Sequence, residues 1–325
     1  MPKLKLKKIA KISLPIILGA FFVGFSIFSS TEEERYQIWH TITNANPFWV
    51  SVSVVLGILS HWARALRWKY ALQPLGCKPK TLNNFFAIMF GYLSNLGVPR
   101  SGEILRGASL ASYENINFEK SFGTIVSERI VDLIVLILII GIALINQSQE
   151  LLALFETFQI NPLLSLFIML SLVFLFFIFL KILSSSQHAF ILKIRSFFEG
   201  LWQGMQSIIH MKNKFAFGLY TLAIWGLYIA IFFVIKYSVP EMQDLGFGPL
   251  LVAFIVGTFS MSLTSGGVGI FPIAVGAVLY MYGISKVSGE AFGWILWSSQ
   301  TALTLILGII SAILLPIYNK NQIFK

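Results

Sequence analysis

Six long apolar segments dominate the sequence, and they constrain its fold more than any other feature. They cover approximately residues 9–28, 47–69, 120–145, 161–183, 215–237 and 289–317. At about 1.5 Å per residue, an apolar helix of roughly 20 residues crosses a hydrocarbon core about 30 Å thick. A hydrophobic content of 56% with only 12% charged residues is incompatible with a soluble globular class. The sequence therefore predicts an all-α polytopic membrane protein.

Basic residues are concentrated in every second loop, which predicts the orientation in the membrane. Lysines and arginines precede the first segment, follow the second, separate the fourth from the fifth and end the chain. The alternate loops carry almost none: Arg35, Lys236 and Lys286. No small-residue cleavage site follows the first segment, so we expect an uncleaved span. The positive-inside rule then places both termini in the cytoplasm and the loops with Glu33 and Asp244 outside.

Two further apolar stretches are interrupted by glycine and serine residues. Residues 84–98 and 103–112 are separated by GVPRSG, and residues 250–263 and 270–283 are separated by TSGGVG. Each piece is short for a membrane span. Broken helices occur at membrane depth only where protein or a wet cavity covers their backbone groups. We expect two re-entrant helical hairpins, although the charge pattern is equally compatible with pairs of short helices that cross completely.

The order of these elements repeats along the chain. Two spans, a broken hairpin and a further span fill about 9–145, and the same order fills about 161–317. Because three crossings reverse the direction of entry, the halves would form an inverted repeat joined by an external loop, with one re-entrant hairpin per half. Interrupted segments at matching positions of two halves indicate the central site of a transporter. Residues 1–325 are predicted to form a single transmembrane domain.

Charged residues surround the first interruption. Glu103 and Arg106 are three residues apart at the start of a short helix, so they share a face and lie within reach of a salt bridge. Arg100 and Arg106 would offer planar donors to a phosphodiester, and the backbone amides after Gly102 would add the positive end of a helix dipole. A purely structural pair explains the same residues equally well, and both roles can hold together.

A second charged group lies deep in the third long segment. Glu128 and Asp132, at i and i+4, share one helical face beside Arg129. Unpaired charges at such depth cost at least about 2.5–3.5 kcal/mol each, so a buried network is expected near the tip of the first hairpin. The candidate partners are Arg64, Arg100 and Arg106. Arg64 and Arg67 also lie near the predicted cytoplasmic end of the second segment, where snorkelling to headgroups is the favoured interpretation.

The second interruption contains small and hydroxyl residues in place of charges. Ser265, Gly266 and Gly267 lie at its centre. Their hydroxyl and backbone amide groups could cradle an anionic or polyol headgroup. Close packing of helix ends at glycine is the alternative, and it explains the composition slightly better. We keep the three residues as candidate substrate-binding positions.

Several of these motifs resemble the transmembrane domain of lysylphosphatidylglycerol synthases/flippases and its stand-alone relatives. The resemblance covers nearly the whole chain. The motifs that carry it are ARALRW, NLGVPRSGEILRG, SFGTIVSERIVDLIVL and TSGGVGIFPIAVGAVL. Its specific part is Gly-Glu-x-x-Arg at 102–106 followed by Glu-Arg-x-x-Asp at 128–132. The resemblance implies movement of an anionic lipid derivative, such as an aminoacylated phosphatidylglycerol, between leaflets of a bacterial plasma (inner) membrane.

Two-part members of that family add an aminoacyl-transferase domain after the membrane domain. The sequence to Lys325 contains no such segment, so we expect no synthase activity. It also contains no HExxH, P-loop or GxSxG motif, and we assign no catalytic residue, metal ligand or cofactor. The alternatives to lipid translocation are an ion-coupled carrier of a small anion and a membrane scaffold for a separate synthase. The expected partner is a phospholipid or lipid-linked substrate and no nucleic acid, with a homodimer and a separate synthase or glycosyltransferase left open.

Overall fold

Helices form all of the regular structure that the computed structural model describes. It describes residues 30–98, 100–114, 116–146, 189–264 and 266–320, together with Gly24, Phe167 and Ser171. The helices in these ranges are α1 (Glu32–Thr43), α2 (Pro47–Leu72), α3 (Thr81–Gly97), α4 (Ser101–Glu114), α5 (Phe118–Asn146), α6 (Ala189–His210), α7 (Lys214–Ile235), α8 (Phe247–Leu263), α9 (Ile270–Met281) and α10 (Lys286–Tyr318). No strand occurs within these ranges, which confirms the all-α prediction for them. The predicted spans at 9–28 and 161–183 lie outside the described residues.

Three of the described helices are long and apolar enough to cross a membrane. They are α2 with a short 3-10 extension to Leu75, α7 with a similar extension to Ser238, and α10. They contain 29, 25 and 33 residues, which corresponds to about 38–50 Å at roughly 1.5 Å per residue. The predicted spans at 47–69, 215–237 and 289–317 lie within them. The chain is therefore an integral membrane protein with several apolar helices.

α5 contains the predicted third span and divides into a charged half and an apolar half. Asp132 is its last charged residue, and an apolar run over 133–145 follows. α6 packs against the charged half, where the Ser127 hydroxyl donates a hydrogen bond to the Met205 carbonyl oxygen at 3.1 Å. The charged half of α5 is thus held against other helices, while the apolar half exposes several isoleucines and leucines.

α3 and α4 fold back on each other as the first helical hairpin. Where they cross, a Cβ atom added to Gly91 would lie 2.7 Å from the carbonyl oxygen of Gly102, so this close approach requires glycine. At the open end, the Asn83 side-chain amide donates to the Glu114 carboxylate at 2.6 Å and joins the start of α3 to the end of α4. The connecting turn holds Arg100 at a φ of 61°, which is uncommon for a residue with a side chain.

α8 and α9 form the second helical hairpin. Its turn contains Gly266, Gly267 and Gly269 at φ values of 69°, 77° and 72°, a region that glycine adopts without steric cost. At the open end, Glu241 accepts hydrogen bonds from the backbone amide and hydroxyl of Ser285, at 2.7 and 2.6 Å. These bonds join the loop before α8 to the residue that precedes α10.

The open ends of the two hairpins lie at opposite ends of α10. Asn83, at the start of α3, exchanges two side-chain amide hydrogen bonds of 2.9 and 2.8 Å with Asn319, directly after α10. The loops around α8 and α9 lie at the start of α10, where Lys286 pairs with Glu34 of α1 at 3.3 Å. The described loops predicted to be external therefore gather at one end of the helices, and the described loops predicted to be cytoplasmic gather at the other.

The tips of the two hairpins touch each other beside α10. A Cβ atom added to Gly266 would lie 3.0 Å from the Leu96 side chain near the end of α3. The indole N–H of Trp297 donates to the Gly266 carbonyl oxygen at 2.7 Å. Trp297 lies about 16 Å along α10 from Lys286, at roughly 1.5 Å per residue. The hairpins therefore enter from opposite ends of the helix bundle and meet in its interior.

Single-cysteine labelling tests which end faces the cytoplasm. In a Cys77→Ser background, Lys3→Cys and Lys325→Cys should react only with membrane-permeant maleimide, whereas Glu33→Cys and Asp244→Cys should also react with impermeant maleimide. The background substitution removes the one native thiol, whose pKa is raised by burial to about 11. Reaction of position 325 with impermeant reagent in intact cells would contradict the orientation.

Candidate ion network for substrate binding

Two arginines and a tryptophan lie on one buried face of α2. Arg64, Arg67 and Trp68 stand at i, i+3 and i+4, so the helical period places them side by side. Arg67 and Trp68 have no exposed surface, and Arg64 is 3% exposed. On α5, Glu128 and Asp132 stand at i and i+4 and are also buried. The packing of α2 against α5 and α7 therefore brings opposite charges together in apolar surroundings.

Asp132 holds three guanidinium groups. Arg67 binds it in a bidentate manner, with Nη1 at 2.6 Å from Oδ1 and Nη2 at 3.2 Å from Oδ2. Arg64 donates from Nη1 to Oδ2 at 3.1 Å and from Nη2 to the Tyr228 hydroxyl of α7 at 3.1 Å. Nη1 of Arg129 lies 3.6 Å from Oδ2. Bidentate arginine–carboxylate pairs are geometrically specific, so Asp132 fixes the positions of the α2 arginines.

Glu128 connects the first hairpin to the same cluster. Arg106 of α4 donates from Nη2 to Oε2 of Glu128 at 2.7 Å, and Nε of Arg67 lies 3.5 Å from Oε1. The Arg106 guanidinium carbon lies 3.7 Å from the centre of the Trp68 ring, in cation–π contact. The Trp68 indole in turn donates to the Thr124 hydroxyl at 2.8 Å. The orientation of Arg106 is therefore set by a carboxylate and an aromatic face together.

Glu103 and Arg129 form the outer part of the network. Nε of Arg129 lies 3.7 Å from Oε1 of Glu103. The Arg129 side chain is 41% exposed and the Glu103 side chain 28% exposed, whereas the other members are at most 10% exposed. This pair is therefore longer and more accessible than the inner pairs.

The network contains more positive than negative groups. Its members are Arg64, Arg67, Arg106, Arg129, Glu103, Glu128 and Asp132. With every group ionised, one positive charge is uncompensated within this set. The Nε groups of Arg64 and Arg106 are buried and have no hydrogen-bond partner in the described part of the chain. Fixed guanidinium donors with an excess of positive charge suit an anion such as a phosphate.

The predicted buried network is confirmed, but the salt bridge that the spacing of Glu103 and Arg106 allows does not form. Arg64, Arg106 and Arg129 join Glu128 and the other carboxylates near the first hairpin, as the cost of isolated charges indicated. Glu103 and Arg106, however, are not each other's salt-bridge partners: Glu103 pairs with Arg129, and Arg106 pairs with Glu128. Neighbours on one helix gain only about 0.2–0.5 kcal/mol from pairing, so the buried carboxylate of α5 is the stronger partner for Arg106.

Three arginines lie where the sequence did not place them. Arg67, like Arg64, was expected to snorkel towards headgroups, but Arg67 is fully buried and Arg64 is 3% exposed. α2 continues beyond both residues, and α7 covers Arg67 with Phe217 and Thr221 and binds Arg64 through Tyr228. Arg100 was expected among the network partners, but it is exposed in the turn of the first hairpin and makes no ion pair with a described residue. The turn that changes the chain direction carries Arg100 away from α5.

The two described candidate residues of the second hairpin lie at its tip. Gly266 and Gly267 occupy the turn, whereas Ser265 lies outside the described residues. The Gly266 carbonyl is bound by Trp297, and a Cβ atom added to Gly266 would lie 3.0 Å from the Leu96 side chain of the first hairpin. The two glycines therefore permit close helix packing, which was the alternative interpretation; a role in substrate binding stays a prediction.

Residues that orient the network were not recognised in the sequence. Trp68 supports Arg106, Thr124 binds Trp68, and Tyr228 binds Arg64. Arg67 and Trp68 could have been found, because they follow Arg64 at i+3 and i+4 on one helical face. Thr124 and Tyr228 had no such signal, since an uncharged polar residue within an apolar span is common.

This arrangement defines a polytopic α-helical membrane protein with a buried ion network beside a helical hairpin. The chain belongs to the family described as the lysylphosphatidylglycerol synthase transmembrane region, which it matches over residues 12–313. It is also similar to UPF0104 membrane protein MJ1595 of Methanocaldococcus jannaschii, with 28% identity over 128 residues, which are 38% of this chain and 37% of that relative. No solved structure matches the chain.

Proposed function

We propose that this protein moves an anionic or aminoacylated phospholipid, or a lipid-linked substrate, between the leaflets of a bacterial plasma membrane. The observation that carries the proposal is the uncompensated positive charge of the buried network. An unpaired charge at membrane depth costs at least about 2.5–3.5 kcal/mol, so an anionic ligand would relieve that cost. The family name, which refers to the synthase of a phospholipid derivative, supports a lipid as the source of that anion.

In this proposal, the two hairpins are the part of the protein that moves during transport. We propose that both are re-entrant and belong to inverted halves, about 9–145 and 161–317. Two observations support this: their open ends lie at opposite ends of α10, and their tips touch between those ends. Transporters with inverted repeats place their sites near the bilayer midplane and expose them alternately by rocking one part against the other. The network lies on the first two turns of α4 and on α2 and α5, so a shift of the hairpin tips would change its access.

An ion-coupled carrier of a small anion is the second candidate, because the same excess charge also suits a soluble phosphate. A scaffold for a separate synthase is the third, and it requires no movement of lipid. These classes differ in what crosses the bilayer: a fluorescent phospholipid, a soluble anion or neither.

Purified protein in phosphatidylcholine vesicles, with and without a pH gradient, separates these classes. We expect fluorescent phosphatidylglycerol to become accessible to an impermeant quencher faster than in protein-free vesicles, with a smaller effect on fluorescent phosphatidylcholine. Accumulation of radiolabelled glycerol phosphate without lipid movement would favour the soluble-anion carrier. Movement of neither compound under any of these conditions would contradict both transport proposals.

A further inference from the structure

The pair Glu103–Arg129 is the part of the network that reaches the outer surface of the helices. Its ion pair measures 3.7 Å, and the contact of Arg129 with Asp132 measures 3.6 Å, the two longest in the network. The Arg129 side chain is also 41% exposed. A long, partly exposed ion pair exchanges one partner for another more readily than the buried pairs behind it. Arg129 is therefore the guanidinium group that an incoming anion can reach first.

Exposed apolar residues stand next to this pair on both helices. On α4, Ile104 follows Glu103 and is 52% exposed; on α5, Ile130 and Leu133 are 45% and 54% exposed. Leu133 stands four residues after Arg129, so the two share a helical face. This face continues into the exposed apolar half of α5. The charged pair thus lies beside exposed apolar side chains, which suit contact with acyl chains.

The position of Arg129 along α5 places its charge well away from the end of the helix. It lies about 16 Å from Phe118 at roughly 1.5 Å per residue, four residues before the apolar run over 133–145 begins. Charged side chains at membrane depth face other protein, a wet cavity or a ligand, since acyl chains cannot solvate them. A lipid phosphate that leaves the headgroup layer supplies the missing negative charge and brings its own acyl chains.

We propose that the α4–α5 surface at Glu103 and Arg129 is the lateral entrance of the substrate site. There the phosphate of a membrane phospholipid displaces Glu103 from Arg129, while its acyl chains lie along Ile104, Ile130 and Leu133. The inference rests on the proposed function, because it names the entrance for the same lipid. The occupant follows from charge complementarity: the network has one uncompensated positive charge, and the surrounding side chains are apolar.

A phosphatidylglycerol with a photoreactive diazirine on its headgroup tests the entrance. The protein is reconstituted in phosphatidylcholine vesicles with this probe, irradiated, and digested so that mass spectrometry identifies the labelled residues. Labelling is expected at Ile104, Ile130 or Leu133, in addition to residues at the helix ends. Because the reactive group is on the headgroup, labelling at this depth requires the headgroup to leave the membrane surface.

Variants of Arg129 separate binding from simple exposure to lipid. Arg129→Ala should reduce labelling at Ile104 and Ile130 roughly tenfold, the change expected for loss of a charge-assisted hydrogen bond. Arg129→Lys should retain part of the labelling, because the charge remains while the planar fork is lost. Lys120→Ala is the matched control on the same helix, since Lys120 makes no ion pair with a described residue. Gel filtration must show that each variant remains folded.

The possible results distinguish the entrance from the transport function. Labelling confined to the helix ends, or unchanged in folded Arg129→Ala and Arg129→Lys proteins, would overturn the entrance even if lipid transport were observed. Labelling at Ile104 that depends on Arg129, without transport, would support the entrance and contradict translocation. Displacement of the probe by soluble glycerol phosphate would assign the anion site to a soluble ligand and overturn the lipid entrance.

Discussion

Replacement of Arg106 by alanine is expected to abolish most of the movement of the lipid substrate. Arg106 donates to Glu128 at 2.7 Å, stacks on Trp68 and keeps a buried Nε–H group that has no hydrogen-bond partner among the described residues. It therefore combines a fixed orientation with an unused donor for phosphate. Loss of one hydrogen bond between charged groups costs about 1.5–3 kcal/mol, which corresponds to roughly a tenfold to hundredfold loss of transport. Leaflet-resolved labelling of phosphatidylglycerol measures this change.

Two further variants separate the role of Arg106 in binding from its role in folding. Arg106→Lys should restore transport only in part, because an ammonium group keeps the charge but loses the bidentate fork and the flat stacking surface. Lys69→Ala is the control on α2, a helix that also contributes to the network, since Lys69 makes no ion pair with a described residue. Wild-type transport by a folded Arg106→Ala protein would assign Arg106 a structural role only.

Replacement of Asp132 by alanine is expected to cause the largest loss of stability. Asp132 contacts Arg64, Arg67 and Arg129, so its removal leaves three guanidinium groups without their shared carboxylate. Breaking a buried ion pair by removing one partner typically costs about 3–5 kcal/mol. Denaturant unfolding of the detergent-solubilised protein, followed by tryptophan fluorescence, measures the free energy of unfolding.

A double variant shows whether uncompensated charge causes that loss. Asp132→Ala combined with Arg67→Met should be more stable than Asp132→Ala alone, because the second change removes one unpaired buried charge. Asp244→Ala is the control for loss of a carboxylate, since Asp244 is exposed in the loop before α8. If Asp132→Ala were no less stable than Asp244→Ala, the network would not contribute to stability as its geometry indicates.

The main elements could be predicted from the sequence because a helix that spans a membrane must be long and apolar, and both properties are visible in the sequence. Long apolar segments gave the spans within α2, α7 and α10, and the interruptions GVPRSG and TSGGVG gave the two hairpins. The cost of isolated charge at depth identified Glu128 and Asp132 as members of a buried network. Each of these inferences depends only on the residues of one segment and on the hydrocarbon around it, so no knowledge of the tertiary structure was needed.

The partners within the network could not be predicted in the same way. Arg106 pairs with Glu128 because α4 packs closely on α3 at Gly91 and Gly102 and turns that arginine towards α5. Arg67 is buried because α7 lies over it. Both facts depend on how helices distant in sequence pack together, whereas sequence spacing reveals only which residues share one helical face.

Native mass spectrometry of the purified protein tests most directly whether the network binds an anionic lipid. Protein extracted in mild detergent from membranes that contain phosphatidylglycerol and zwitterionic phospholipids is compared with Arg106→Ala protein prepared in parallel. Wild-type protein should retain phosphatidylglycerol, or another anionic phospholipid, in excess over its proportion in the membrane, and Arg106→Ala protein should lose that enrichment. Equal retention by the two proteins, or bound lipid in the same proportions as the membrane extract, would contradict a phosphate site at Arg106.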